Sequence, residues 1–369
     1  MYYLFVTYII YINSKNITMK QLFAQRLKNA RKLAGMSQDD LVSAMDGFVK
    51  KTSIAKYERA EMMPDSRVVA ALGKALGVQS AYFTKEFNVS VQKLEFRKKK
   101  RLLVKELESI KQKSMSDIES YLELEELAGI SEPFVHPLSH RIIYNAEDVE
   151  QAAEQLLTGW NVGFNGISHI LNILEEHGIR LIAIEANEDF DGVSTYANDQ
   201  IPVIVYNQNY PEDRKRLTIL HELGHLLLNF DETLLTDEKL IESLCFRFGA
   251  ALLMPRACFF RELGRKRHEI ALVELIILKE RYGMSVQAIF RRALDLNVIN
   301  EFYYTRMQFQ RFNKNRKETG WGQYPVSEKP TRFDQLLIRS VTEQVITVNK
   351  AAELVGMNLL DFTSKYQIT

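Results

Sequence analysis

From residue 22 onward, apolar positions recur at helical spacing. Leu22, Phe23, Leu27, Ala30 and Leu33 lie on one face of a first amphipathic helix. Ser37, followed by Asp39 and Asp40, reads as the N-cap and acidic first turn of a second helix. After the Asp46-Gly47 turn, Lys50 to Arg59 predicts a third, basic helix. Pro64 ends that segment, and Val68 to Leu76, closed by Gly77, predicts a fourth. Residues 86–130 have few breakers and predict one or two connecting helices. Ile201 to Tyr206 is short and β-branched and carries Pro202; proline confines a strand to an edge or to its own first residue, so an edge strand is expected. Pro211-Glu212-Asp213 opens a helix with Leu217, Leu220, Gly224, Leu227 and Leu228 on its apolar face. A second buried helix runs through Glu242 to Pro255. Glu301 to Pro330 is mixed and turn-rich, and Phe333 to Phe362 is helical again. Within that last stretch, Asn349 to Met357 has the outline of a small helix-turn-helix, and the region is expected to form a helical cap on the domain before it.

These elements describe a multidomain chain, mainly α with one α+β domain. Its expected parts are an extension over 1–18 from an upstream start codon, an all-α domain over 19–85, a connector over 86–130, an α+β domain over 131–300 and a carboxyl-terminal region over 301–369. The net charge of +1 conceals a division: residues 19–113 carry +11 and residues 114–369 carry −11. That split suits a front that faces nucleic acid and a rear with a different task. Within the front, the run Phe96 to Arg101 either extends the DNA footprint or pairs with the acidic stretch 117–132. Two cysteines, Cys245 and Cys258, exclude a disulfide scaffold and fit a reducing cytoplasm. The apolar start Met1 to Ile12 falls short of the ~20 residues that span a bilayer and lacks the features of a secretory signal, so no membrane association is expected.

The densest chemical signal is His221-Glu222-Leu-Gly-His225. Residues four apart share a helix face, so two imidazoles there can hold one metal ion, with Glu222 in reach of a water on the same ion. A catalytic zinc needs a third protein ligand and one open position. Glu238 and Glu242 both follow at suitable distance. Glu238 suits a solvated helix start, whereas Glu242, between Ile241 and Leu244, would be a costly buried acid without a positive partner. Glu242 is therefore the preferred third ligand over Glu238, with His268 a more distant candidate.

The segments Pro202 to Asn207, Arg214 to Leu228 and Glu242 to Pro255 together resemble the ImmA/IrrE family of zinc metallo-endopeptidases over residues 145–300. In that family a strand precedes the HExxH helix and a helix of the form E-x-x-A/C-N-x-F-A-x-x-L-L-M-P follows it. The resemblance implies one zinc ion per chain on His221, His225 and Glu242, with Glu222 as general base and then proton donor to the leaving amine. Tyr196, Tyr206 and His268 are the candidates for a second oxyanion donor. Phe246, where the family has asparagine, and Gly249, where alanine is common, depart from the pattern.

Arg26-Leu27-Lys28-x-x-Arg31, Ser37-Gln38-x-x-Leu41, Ile54-x-x-Tyr57-Glu58-Arg59, Pro64 and Ala75-Leu76-Gly77-Val78 resemble the XRE (phage-repressor-like) helix-turn-helix domain. Val42 and Asp46 depart from it, and a longer turn precedes Ile54. By position, Gln38, Lys51, Thr52, Ser53 and Lys56 would face double-stranded DNA, and such domains read paired half-sites as homodimers. Joined, the two resemblances imply a cytoplasmic regulator that cleaves a repressor-type protein, itself or a partner. A cut between residues 86 and 116 would release the DNA-binding head. The alternatives are a non-proteolytic transcription factor with a structural or sensory zinc site, and the antitoxin-like half of a toxin–antitoxin pair.

Overall fold

Thr18 accepts the backbone N–H of Gln21 while the Gln21 side chain takes the N–H of Thr18, and this reciprocal cap starts helix α1 (Met19–Leu33). The same device, between Ser37 and Asp40, starts α2 (Gln38–Ala44). Helix α3 (Lys51–Glu58) begins at Lys51 without a side-chain cap, and α4 (Ser66–Leu76) ends at Gly77, whose φ of +67° only glycine adopts without cost. A 3₁₀ turn, Ser80–Thr84, seats Phe83 against Phe23 in a core with Leu27, Leu41, Ile54 and Leu72.

The computed structural model describes residues 18–85, 104–130 and 133–367. The expected extension over 1–18, apart from Thr18, and the basic run Phe96 to Arg101 lie outside the described residues. The described chain divides into two compact units, residues 18–85, 104–130 and 333–367 in one and residues 133–332 in the other.

In the first unit, helix α5 (Val104–Leu127) packs along α1. Arg26, 2% exposed, pairs with Glu119 at 2.7 Å and donates its Nε to the Lys85 carbonyl at 2.9 Å. Lys32 meets Glu108 at 2.5 Å, and the Ser109 hydroxyl caps the Leu33 carbonyl at 2.8 Å. The described part of the connector, residues 104–130, is thus a second layer on the four-helix head.

The second unit opens with β1 (Ile142–Ile143), α6 (Ala146–Gly159), α7 (Ile170–Glu176) and β2 (Arg180–Ile184). Strands β3 (Gly192–Ala197) and β4 (Ile201–Asn207) form a hairpin turned at Asn198 and Asp199, both at positive φ as the tightest hairpins require. The sheet order is β2-β4-β3, with β2 parallel and β3 antiparallel to β4. The expected edge strand is therefore the central one. β4 is buried from Pro202 to Asn207, and cover on both faces accounts for its poor alternation. Pro202 is tolerated because it sits at the strand's start, and the outer strand beside the HExxH helix is β3.

Helix α8 (Glu212–Leu227) carries the HExxH segment, β5 (Asn229–Phe230) pairs with β1, and α9 (Glu238–Leu253) packs closely on α8. Helices α10 (Arg256–Leu263), α11 (Leu272–Tyr282), α12 (Val286–Asp295) and α13 (Glu301–Gln310) complete the unit. Buried ions brace it. Glu150 of α6 takes Arg292 of α12 and Arg247 of α9, while Lys279 of α11 sits between Asp213 of α8 and Glu318. Arg216 of α8 is fully buried against Glu328, whose other oxygen accepts the Leu171 N–H. Residues 301–332 accordingly fold with the HExxH segment.

Helices α14 (Arg332–Thr342), α15 (Val348–Leu354) and α16 (Leu359–Tyr366) correct the expectation of a cap on the preceding domain. From Phe333 they belong to the first unit, where Leu336, Leu337, Ile346, Ala351 and Phe362 cluster with Leu124 of α5. Glu123 of α5 receives Lys85 and, at 2.7 Å, Lys350 of α15.

Candidate metal centre

Small residues on two crossing helices bring the site together. A side chain at Gly224 of α8 would meet the Cys245 Cα at 3.2 Å, and one at Gly249 of α9 would meet the His221 nitrogen at 3.1 Å. Bare backbone at both points lets α9 lie close enough for Glu242 to reach the histidines. The glycine at 249 is thus read by its contact: it touches the backbone of the first histidine.

His221 Nε2 and His225 Nε2 lie 3.1 Å apart, His225 Nε2 is 3.1 Å from one oxygen of Glu242, and His221 Nε2 is 3.5 Å from the other. Donors about 2.05 Å from a tetrahedral ion lie about 3.3 Å apart, so the two imidazole nitrogens and the carboxylate, met through a different oxygen by each ring, stand at separations a single zinc-sized cation can span. His221 is buried, His225 is less so, and the Glu242 side chain is 33% exposed, which places the open side of the cluster at the carboxylate. Among the described residues His221, His225 and Glu242 form the one cluster of potential ligands; Glu238 and His268 do not enter it. Glu238 instead stands in the first turn of α9, behind the Asp237 cap, and His268 is exposed in the loop after α10.

Three further residues stand against the site, and of these only Ser194 carries no signal in the sequence. Ser194 of β3 donates its hydroxyl to Glu222 at 2.8 Å, fixing that carboxylate beside the histidines. Gly192 permits this, because its bare Cα lets β3 approach Thr218 and Glu222. The Cys245 sulfur lies 3.4 Å from His225 Nδ1, and the Phe246 ring covers His221 with centroids 3.9 Å apart. Cys245 and Phe246 fall three and four residues after Glu242, so helical periodicity alone puts them on the ligand's face. Phe246 is thus an aromatic wall on the His221 imidazole.

Of the three candidate oxyanion donors, Tyr196 donates its hydroxyl to the Leu226 carbonyl at 2.7 Å, and burial pushes its pKa up to about 12. Tyr206 is buried, and burial together with the Glu175 and Glu212 carboxylates raises its pKa. Glu212 starts α8, so Tyr206 stands towards the end of that helix remote from His225.

In the head, Lys51, Thr52 and Lys56 of α3 are exposed and Ser53 is half-buried. Lys51 meets Asp39 at 2.6 Å, an exposed pair of the kind that contributes little. Gln38 is engaged inside the fold: its amide donates to Glu58 at 2.8 Å, and Glu58 is also gripped by the two-pronged Arg31. Arg31, Gln38 and Glu58 thus clamp α1, α2 and α3 together.

The fold and its two sites define a helix-turn-helix protein of the XRE type that carries a metallopeptidase-like domain. Residues 27–83 match the helix-turn-helix family, and residues 174–294 match the IrrE N-terminal-like domain family. The chain is also similar to two curated proteins, each called radiation response metalloprotease IrrE. That of Deinococcus radiodurans is 37% identical over 73 residues, 17% of this chain and 22% of the relative. That of Deinococcus deserti is 41% identical over 63 residues, 14% of this chain and 22% of the relative. The chain thus spans about a fifth of the length of the curated relatives it matches. Among the described residues no single helix is long and apolar enough to cross a membrane.

Proposed function

We propose that this is a cytoplasmic DNA-binding transcriptional regulator whose second unit is a zinc-dependent endopeptidase acting on a repressor-type protein, a copy of itself or a partner. The observation that carries the reading is the convergence of His221, His225 and Glu242 beside a Glu222 held by Ser194. His221, His225 and Glu242 would hold one zinc ion, which supplies a Lewis acid that acidifies water and polarises a peptide carbonyl. Glu222 accepts the proton of the attacking water and returns it to the leaving amine. Ser194 keeps the Glu222 carboxylate in one rotamer, and Cys245 orients the His225 ring from behind. Strand β3, outermost in its sheet and packed beside α8, offers backbone groups to an extended substrate segment. Lys51, Thr52, Ser53 and Lys56 would meet DNA in a homodimer reading paired half-sites, with Gln38 reserved mainly for the clamp on Glu58.

An extended substrate is also what limits self-cleavage. Residues 104–116 lie in α5, where the helix withholds the backbone from a neighbouring strand. A cut that frees the head must then fall within residues 86–103, which lie outside the described residues.

The test is metal content by mass spectrometry alongside cleavage of the full chain and of candidate repressors. Wild type and Glu222→Gln should each hold about one zinc, Glu242→Ala should lose most of it, and only wild type should produce fragments. Zinc in both with no cleavage under any inducing condition would leave a non-proteolytic zinc-binding regulator. No zinc after repletion would refute the metal centre.

A further inference from the structure

The head, α5 and the carboxyl-terminal helices line a cavity of about 510 Å³ within the first unit, inside the range of about 300–1,000 Å³ usual for small-molecule sites. Its apolar surface comes from Val78 and Tyr82 of the head and Met357 after α15. Its polar surface centres on α5, where Asp117 is flanked by the Ser116 and Ser120 hydroxyls.

Charge decides what such a cavity can take. The lining carries the carboxylates of Asp117, Glu119 and Glu353 and the ammonium groups of Lys85 and Lys113. Glu119 is committed to Arg26 at 2.7 Å, Glu353 to Lys350 at 2.9 Å, and Lys85 to Glu123. The remaining pair, Lys113 with Asp117 at 2.6 Å, is a contact between successive helical turns whose lysine is 54% exposed. Pairs of that kind contribute about 0.3–0.5 kcal/mol and are readily exchanged for a better cation. Burial pushes the Asp117 carboxyl above its ordinary value despite Lys113, and its side chain, 27% exposed, stays accessible from the cavity. The last turn of α4 ends at Gly77 in the lining, and the carbonyl end of a helix favours positive charge. The Tyr82 ring, which already meets the Arg26 guanidinium 5.2 Å from its centroid, adds apolar aromatic surface to the lining.

We propose that this cavity binds a small organic cation, an ammonium group on an apolar body, with the ammonium on Asp117 and the body against Val78, Tyr82 and Met357. Such a ligand touches the head, α5 and the carboxyl-terminal helices at once, close to Glu123, which already joins Lys85 to Lys350. Binding therefore stabilises the docked arrangement of all three by mass action, and it makes the cavity an input through which a metabolite would set the head's freedom. The proposal is independent of zinc and of peptidase activity.

The probe is tyramine, with tyrosol and 3-(4-hydroxyphenyl)propionate as neutral and anionic molecules of nearly the same shape. Binding to the full chain is read by ligand-observed NMR, and the unfolding temperature is followed in parallel. Tyramine should bind saturably and raise the unfolding temperature, with both controls at least tenfold weaker. Asp117→Asn should reduce tyramine to the level of tyrosol, Lys113→Ala should strengthen it, and Met357→Trp, which fills the cavity, should abolish binding of all three. Absence of saturable tyramine binding up to about 10 mM, well above the millimolar affinity of a weak fragment, overturns the proposal. Equal binding of the three probes, or tyramine binding unchanged in Asp117→Asn, overturns it as well.

Discussion

Whether cutting the chain between the head and α5 frees the head depends on the Arg26–Glu119 pair. The two side chains are 2% and 8% exposed and 2.7 Å apart, so each charge has given up its water for the other. Glu119→Ala leaves the guanidinium buried with the Lys85 carbonyl at 2.9 Å and the Tyr82 ring centroid at 5.2 Å. Removing one partner of a buried pair costs about 3–5 kcal/mol. These retained contacts place this case near the lower end, about 3 kcal/mol, or roughly a hundredfold in the docking equilibrium. The half-exposed Lys32–Glu108 pair contributes at most about 1 kcal/mol and cannot make up the loss. Hydrogen exchange across residues 104–127 should therefore quicken by about two orders of magnitude in Glu119→Ala. The double variant Arg26→Met with Glu119→Leu buries no charge and should stay near wild type. A specific protease site placed within residues 86–103 gives the functional readout: the nicked wild-type fragments should co-elute and the nicked Glu119→Ala fragments should separate. Exchange in α5 unchanged by Glu119→Ala, or equally fast in the double variant, would show that this pair does not hold the connector to the head. If the pair does hold, proteolysis alone does not release DNA-bound heads, and a second event must undock α5.

Three further outcomes follow from single contacts. Lys51→Ala and Lys56→Ala should weaken binding across DNA sequences alike and each reduce the slope of log affinity against log salt by about 0.9, checked by fluorescence anisotropy over a salt series. Burial alone would raise the Glu150 carboxyl, but Arg292 and Arg247 outweigh it and hold the pKa below the ordinary 4.5. A depressed carboxylate stabilises the fold above its unfolded value and loses that contribution as pH falls through the folded value. The stability advantage of wild type over Glu150→Gln should thus be steady at neutral pH and shrink only as denaturation is followed below about pH 4.5. Gly224→Val would push against the Cys245 Cα, 3.2 Å from the first added carbon. It should cost about 1–3 kcal/mol by denaturant titration and weaken zinc retention against a chelator by spreading α8 from α9.

What the sequence determined by itself is local. Caps at Ser37 and Gly77, the histidine pair one turn apart and the basic helix after Lys50 are each written within a few adjacent residues, and backbone geometry converts such spacing directly into a shared face. Glu242 was singled out too, as an acid set among apolar residues, but the burial assumed for it is only partial, since its side chain is 33% exposed. The tertiary structure decided the partners. Ser194 meets Glu222 from a neighbouring strand, Arg26 meets Glu119 across 93 residues, and Lys350 of the last helices returns to Glu123. No periodicity encodes those pairings, since they follow from how twisted and crossing elements close on one another. The strand at 201–207 shows the difference most clearly. Its composition identified it as a strand, and its proline as an edge, but only the pairing with β2 on one side and β3 on the other made it the centre of the sheet. The carboxyl-terminal helices likewise had a recognisable apolar face, and it was the presence of Leu124 opposite that face which drew them to the DNA-binding unit. An apolar stripe specifies that something must cover it; which surface does so is settled by the packing of the whole chain.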